Sequence, residues 1–508
     1  MRQEALFQLL KSLNKGEKRQ VKLLLGLSGG KKMIQLYSHL SKMNHYNEEV
    51  LRKKLEKEGV KKGQFAVLKH STYQAVMRAL RYINDDSTLE IELGNLIIDT
   101  RILEARGLYA QGENRLKKAK QLSIKYEKFL HTLEILQLEI PLAMGRETKA
   151  LRDKIAALNE VIEDLVEKLR IEFKYWGILQ RIFAWYRTKS KIRTKESATT
   201  YEKIESSPLL EDANLASTFQ SRISYFFSHA LIQHTHRRDM EKANSYYSKV
   251  IEIWDRYPHM KPIHTIQYKI HLSNYLNSCH VVGKYENFER IVDEIEGLPV
   301  ASFDEAAEVF QNVAHLRLLY LMNTFQYQEG RAYVTEIEIG LEKYSSKINN
   351  ARLISFYCNL SIFFFVLGDL EQADHWVNAI FTSQVSDIRE DIQVFIRVLH
   401  LVIHYELHNY LLLESIDRSV RRKLRDTNSL SEFELLVLQV IRELQKQNSR
   451  TEKRQVAQEY LKKFHSLNDQ ELAQRIVGLE EISLWIESKS RNKPYLEVLR
   501  EKQLLTRK

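Results

Sequence analysis

Residues 352–383 read RLISFYCNLSIFFFVLGDLEQADHWVNAIFTS, and the fold follows from this stretch. Leu353, Phe356, Leu360, Phe363, Phe364 and Leu367 recur at the three- and four-residue spacing of a buried helix face. Gly368 follows, the residue that most readily takes the left-handed conformation at a helix C-terminus. Asp369 is then placed as an N-cap, its carboxylate able to accept from an unpaired amide of the next helix. Gln372, three residues on, completes the pattern of a capping box. Ala373, Trp376, Val377 and Ile380 form one face of the second helix, with Ala373 small enough for a close crossing. The stretch predicts two helices folded back on each other.

This pattern resembles a tetratricopeptide repeat. Tyr357 stands where that family has Trp, Leu360 where it has Leu, and Phe364 where it has Tyr. Gly368 and Ala373 match the turn Gly and the helix-crossing Ala, and Val377 replaces a Phe. Ser361, Ile380 and Val385 depart from the family's Gly, Ala and closing Pro. The resemblance implies a superhelical stack of antiparallel helix pairs whose concave groove binds a protein or peptide. Turn signals recur near Gln111-Gly112, Gly145-Arg146, Thr188–Lys191, Arg238-Asp239, Gly283-Lys284, Gln326–Gln328, Gly368-Asp369, His408-Asn409 and Asn448–Thr451. In the second half their interval is roughly 40–45 residues, longer than the usual ~34 and shared by HEAT-type repeats. The expected organisation is a basic helical module over 1–85, a repeat array over 86–486 and a capping helix or tail over 487–508.

Composition agrees with an all-α chain. Only 17 Gly and 6 Pro occur in 508 residues, too few to punctuate a large β protein. Residues 1–20 lack the apolar core and small-residue cleavage site of a secretory signal. The longest apolar stretch, 353–368, is polar at Ser355, Asn359 and Ser361 and falls short of the ~20 residues of a membrane span, so no transmembrane segment is expected. Cys279 and Cys358 form no metal or redox spacing and suggest a reducing, cytoplasmic setting.

The charge is concentrated at one end. Residues 1–84 hold 18 Lys and Arg against 6 Asp and Glu, whereas the remainder is nearly balanced. Five short helices are expected there, with Asn14 and Asn47 as N-caps. The fifth, over 63–83, carries the apolar stripe Phe65, Leu68, Val76, Ala79, Leu80 and Ile83. A helix–turn–helix reading sets Lys69, Gln74 and Arg78 against a nucleic acid, flanked by Arg52, Lys53, Lys54, Lys57, Lys61 and Lys62. The plainer reading is a capping bundle with a solvated lysine surface, because Arg reads base edges better than Lys. An acidic protein or a membrane surface would use the same patch. The Gly26–Lys32 segment lacks the P-loop spacing and reads as a helix–helix turn.

Three histidines, His400, His404 and His408, fall at i, i+4 and i+8. Two imidazoles at i and i+4 can share an ion, but the third is about 12 Å from the first along the axis. Without a further ligand the set reads as groove-edge or inter-helix hydrogen-bonders, and neither a metal nor a cofactor is expected. His234 and His236 read as part of a polar turn. Helix 171–187 carries aromatics on nearly all sides. Core packing is favoured for them, with Tyr175, Trp176, Trp185 and Tyr186 as candidate groove-lining residues. No Ser-His-Asp, Cys-His, dinucleotide or CxxC signature occurs. The expectation is therefore a non-enzymatic scaffold that binds a protein or peptide. The alternative is a regulator with a nucleic-acid-binding head and a partner-sensing array, and a metal-dependent enzyme at His400 and His404 comes last.

Overall fold

The computed structural model describes residues 4–28, 30–83, 88–143, 148–189, 204–300, 302–382, 390–426, 432–468 and 478–506. Among them there is no strand, and the chain is all-α with its helices packed in neighbouring pairs. In chain order these are α1 (Ala5–Ser12), α2 (Lys15–Ser28), α3 (Gly30–Lys42), α4 (Glu48–Lys57), α5 (Phe65–Ile83), α6 (Leu89–Glu104), α7 (Tyr109–Lys125), α8 (Phe129–Ala143), α9 (Thr148–Lys189), α10 (Pro208–Glu211), α11 (Phe219–Ile232) and α12 (Met240–Arg256). There follow α13 (Thr265–Val282), α14 (Phe288–Gly297), α15 (Phe303–Asn323), α16 (Tyr327–Lys343), α17 (Asn350–Leu367), α18 (Leu370–Thr382), α19 (Glu390–Glu406), α20 (Tyr410–Asp426), α21 (Glu432–Lys446), α22 (Arg450–Asn468), α23 (Leu479–Arg491) and α24 (Tyr495–Thr506).

The chain divides into two compact units, residues 1–228 with 253–264, and residues 229–252 with 265–508. The array expected over 86–486 therefore spans parts of both. In the first unit, α1–α5 form a bundle around Leu6, Leu10, Leu36, Leu51, Leu55 and Val76, with α5 packed on α1, α2 and α3. Asn14 caps α2 through a complete capping box. Its side chain accepts from the Glu17 amide at 2.9 Å, and Glu17 accepts from the Asn14 amide at 2.8 Å. Asn47 caps α4 in the expected way. Helices α6 to α9 then pack successively, each on the next.

In the second unit, left-handed residues come at Arg238, Gly283, Phe325, Gly368 and His408, at intervals of 40 to 45 residues, and then at Gly478 and Asn492, outside that interval. Beyond Gly283, Phe325, Gly368 and His408 the next amide reaches back five residues. Lys284 donates to Cys279, Gln326 to Leu321, Asp369 to Phe364 and Asn409 to His404, all at 2.9–3.0 Å. This is the Schellman closure of a helix end. At Arg238 a π-turn over Gln233–Arg237 lengthens the loop, and Asp239 reaches back to Gln233. Asp369 accepts from the Gln372 amide, as an N-cap should. Its own amide is already taken by Phe364, so Gln372 has no capping box to close.

Within this unit the first helices of successive pairs also touch, α13 on α15, α15 on α17, α17 on α19 and α19 on α21. Close approach is built in at two glycines of α16. A Cβ at Gly330 would lie 2.7 Å from the Phe363 ring, and one at Gly340 would collide with Phe310. Helix α17 is buried on more than one face, at Ile354, Phe356, Cys358, Leu360, Phe363, Phe364, Phe365 and Val366. By length and composition alone it could cross a membrane, the one such helix among the described residues, and half of it lies against neighbours inside the fold.

Two expectations are corrected. The turn placed at Gln111-Gly112 lies inside α7, and the chain turns instead at Gly107, which has a positive φ. Of the segment 487–508, expected as a capping helix or tail, the first residues end α23, and α24 packs against α17. Trp485 of α23 meets Tyr405 edge-on and donates to Glu406 at 2.8 Å, while Tyr495 of α24 meets Phe365. Trp485 and Ile486 of α23 belong to one apolar core with Phe363 of α17 and Tyr405 of α19. The second correction concerns Lys69 and belongs with the basic face below. The turn proposed at 145–146 lies outside the described residues; of the one proposed at 188–191, residues 188 and 189 end α9 and the rest lie outside them.

Candidate functional site

In the second unit an open groove of about 460 Å³ runs across the first helices of successive pairs. Ile266, Ile270, Asn274 and Asn277 of α13 line one side, Glu308, Asn312, His315 and Leu319 of α15 the other, and Arg352 at the start of α17 one end. Its polar floor is held in place. Arg352 donates to Asn312 Oδ1 at 3.2 Å, and the Asn359 amide lies 3.0 Å from His315. Beside it, Lys269 donates to Glu305 at 2.7 Å and to the Pro299 carbonyl at 2.6 Å. Burial lowers the pKa of the Arg352 guanidinium.

His315 is pushed down to about 3 by burial, helped by Arg352, and the fully enclosed His271 on α13 to about 3 by burial alone. Below pH 6.5 the unfolded chain binds protons at these rings that the folded chain refuses. Their contribution to stability is complete above pH 6.5 and is lost as pH falls toward the folded values. Each ring contributes up to about 1.4 kcal/mol per pH unit in that window. Urea unfolding at pH 7, 6 and 5 should therefore show a smaller loss for His271→Leu than for the unaltered chain, and equal slopes would contradict this assignment.

The first unit carries a second cleft, of about 380 Å³. The rings of Phe173 and Trp176 stand at its rim, 58% and 59% exposed, beside Leu130. Of the aromatic set expected to line a groove, Trp176 does so. Tyr175 is fully buried and donates to the Leu209 carbonyl at 2.7 Å, so it belongs to the core. The side chains of Trp185 and Tyr186 lie outside the described residues. At the cleft's inner end Glu172 accepts from Thr218 Oγ1 at 2.6 Å and Glu127 from the Phe219 amide at 2.7 Å. Burial raises both carboxyls above their usual range. Both brace the start of α11.

On the N-terminal bundle, Lys53, Lys54, Lys57, Lys61, Gln74 and Arg78 are exposed. The side chain of Lys62 lies outside the described residues. Lys69 is turned inward, against the expectation of a nucleic-acid contact. Its ammonium donates to Tyr46 Oη at 2.8 Å and pairs with Glu48 at 3.3 Å. Arg52 pairs with the same Glu48 at 2.7 Å and stacks over Phe65. The hydrogen bond from Tyr46, then those from Arg52 and Lys69, outweigh burial and lower the Glu48 carboxyl.

The three histidines part company. His408 turns the chain after α19 in the left-handed conformation, and its Nδ1 lies 2.9 Å from Tyr410 Oη. His400 and His404 face each other, Nε2 to Nε2, at 2.9 Å. Asp374, from the second helix of the stretch 352–383, joins them: its Oδ1 lies 3.2 Å from each Nε2. Burial alone would raise the Asp374 carboxyl, but the two imidazoles outweigh it and hold it well below its usual range. Sequence spacing found the histidine pair and missed Asp374, which is 26 residues from His400 and reaches it only because α18 packs on α19. The chain matches no protein-family model, no curated protein and no solved structure.

Proposed function

We propose that the chain is a non-enzymatic helical-repeat scaffold, and that the groove across α13, α15 and α17 binds an extended segment of a partner protein. The observation that carries this reading is the groove itself: an unfilled channel with apolar walls at Ile266, Ile270 and Leu319 and an amide-rich floor. An asparagine side chain both donates and accepts, as a peptide unit does, so Asn274, Asn277 and Asn312 suit a partner's backbone. Arg352 suits an acidic group on the partner, and the walls suit its apolar side chains. The 40- to 45-residue recurrence of the turns and the contacts between successive first helices support the repeat reading. The tetratricopeptide resemblance stays at the level of shape.

A photo-crosslinking residue placed at Ile270 in the native host tests this. A discrete adduct that disappears when Asn277→Trp fills the channel is the expected result. An adduct unchanged by that substitution would remove the groove from the account.

A second reading rests on Lys53, Lys54, Lys57, Lys61 and Arg78, all exposed on the N-terminal bundle. If these five meet phosphates, log Kobs for DNA or RNA should fall against log salt with a slope of about −4 to −5. Filter binding by the full chain across a salt series measures it. No binding, or binding indifferent to salt, excludes this role.

A further inference from the structure

We infer that Asp374, His400 and His404 form a binding site for one divalent first-row transition-metal ion. The three ligand atoms make a small triangle with edges of 2.9, 3.2 and 3.2 Å. An ion about 2.1 Å from each atom would see the two nitrogens about 90° apart and the oxygen about 100° from either. Those are the angles of three adjacent corners of an octahedron, the facial arrangement of two histidines and one carboxylate. It leaves the opposite three positions for water or a small ligand.

Hydrogen bonding among the three groups does not satisfy them. Asp374 Oδ1 is buried and accepts no hydrogen bond, although both ring nitrogens are 3.2 Å away. A proton shared between the two Nε2 atoms leaves that oxygen still without a donor, and a buried carboxylate oxygen left so is costly. A cation at the centre engages all three lone pairs at once. The surroundings hold the ligands in place. Asp374 Oδ2 accepts from Asn378 at 3.0 Å, so Oδ1 is the oxygen presented to the site. The Asn409 amide lies 3.2 Å from His404 Nδ1. With its oxygen turned to that atom it accepts the Nδ1 proton and leaves the Nε2 lone pair free for the ion. The Phe381 ring packs edge-on against His400 at 5.2 Å. The site opens to solvent on the Asp374 side, whose side chain is 23% exposed, against 5% for His404.

The site is independent of the peptide groove, which none of its residues lines. The test is titration of the chelator-treated full-length protein with cobalt(II) chloride, followed by calorimetry and by elemental analysis after gel filtration. One cobalt per chain is expected. His404→Ala and His400→Ala should weaken binding by at least ~100-fold, Asn409→Ala by about 10- to 100-fold, and His408→Ala not at all. Circular dichroism shows whether each variant retains its helices. Asp374→Asn, which keeps the side chain's shape, carries the test should an alanine variant fail to fold. No cobalt retained by the unaltered chain, or equal retention by folded Asp374→Asn, overturns the assignment.

Discussion

Phe363→Ala is expected to destabilise the second unit by about 3–5 kcal/mol, the range for deleting a large aromatic from a core that cannot close around the gap. Phe363 is fully buried. Its ring lies 5.5 Å from that of Tyr327 and 5.3 Å, edge-on, from that of Phe364, and it covers the bare backbone of Gly330. Since Gly330 has no side chain to move into the space, the cavity should persist. Urea unfolding followed by circular dichroism measures the loss. Leu411→Ala is the control, because Leu411 is 95% exposed and should change stability by less than about 0.5 kcal/mol. Similar losses for the two variants would show that Phe363 is not where the second unit's packing is concentrated.

The second large effect is electrostatic. Glu305→Ala should cost about 3–5 kcal/mol, because it leaves the Lys269 ammonium in a site where its side chain is only 8% exposed. The Pro299 carbonyl still accepts from that ammonium but cannot balance its charge. Adding Lys269→Met should recover much of the loss, since removing both charges of a buried pair is often close to neutral. A double-mutant cycle reads this directly. A double variant no more stable than Glu305→Ala alone would show that Lys269 is not stranded by loss of its partner. Both residues also line the proposed peptide groove.

The parts of the fold that could be read from the sequence are those governed by near neighbours. Gly368 closes α17 and Asp369 opens α18 because capping depends on a few consecutive residues, and Asn14 and Asn47 behave likewise. The turn expected at Gln326–Gln328 comes at Phe325, just before it, and that expected at His408-Asn409 comes at His408; neither left-handed residue is a glycine. The tertiary fit of the flanking helices supports a conformation that costs an ordinary residue of order 1–2 kcal/mol.

What was missed depends on contacts between helices. The buried stripe of α5 includes Phe65, Lys69, Thr72, Val76 and Ala79, at regular heptad spacing. Two polar residues interrupt it, so a search for apolar periodicity set Lys69 on the wrong face. Tyr46 and Glu48, which make its burial tolerable, precede it by more than twenty residues. The return of α24 onto α17 and the meeting of Asp374 with His400 and His404 are long-range in the same way. Nothing in the local spacing announces either.

Central to this account is that most of the polypeptide is helix pairs that keep their apolar faces from water by lying against other pairs. Hydrogen exchange of full-length Phe363→Ala, read peptide by peptide in native buffer, tests that most directly. Protection should fall first in α16, α17, α18 and α24, the helices that meet at or around this ring, while α1–α5 keep theirs. Equal loss along the whole chain would contradict it, because that is the response of a single indivisible core.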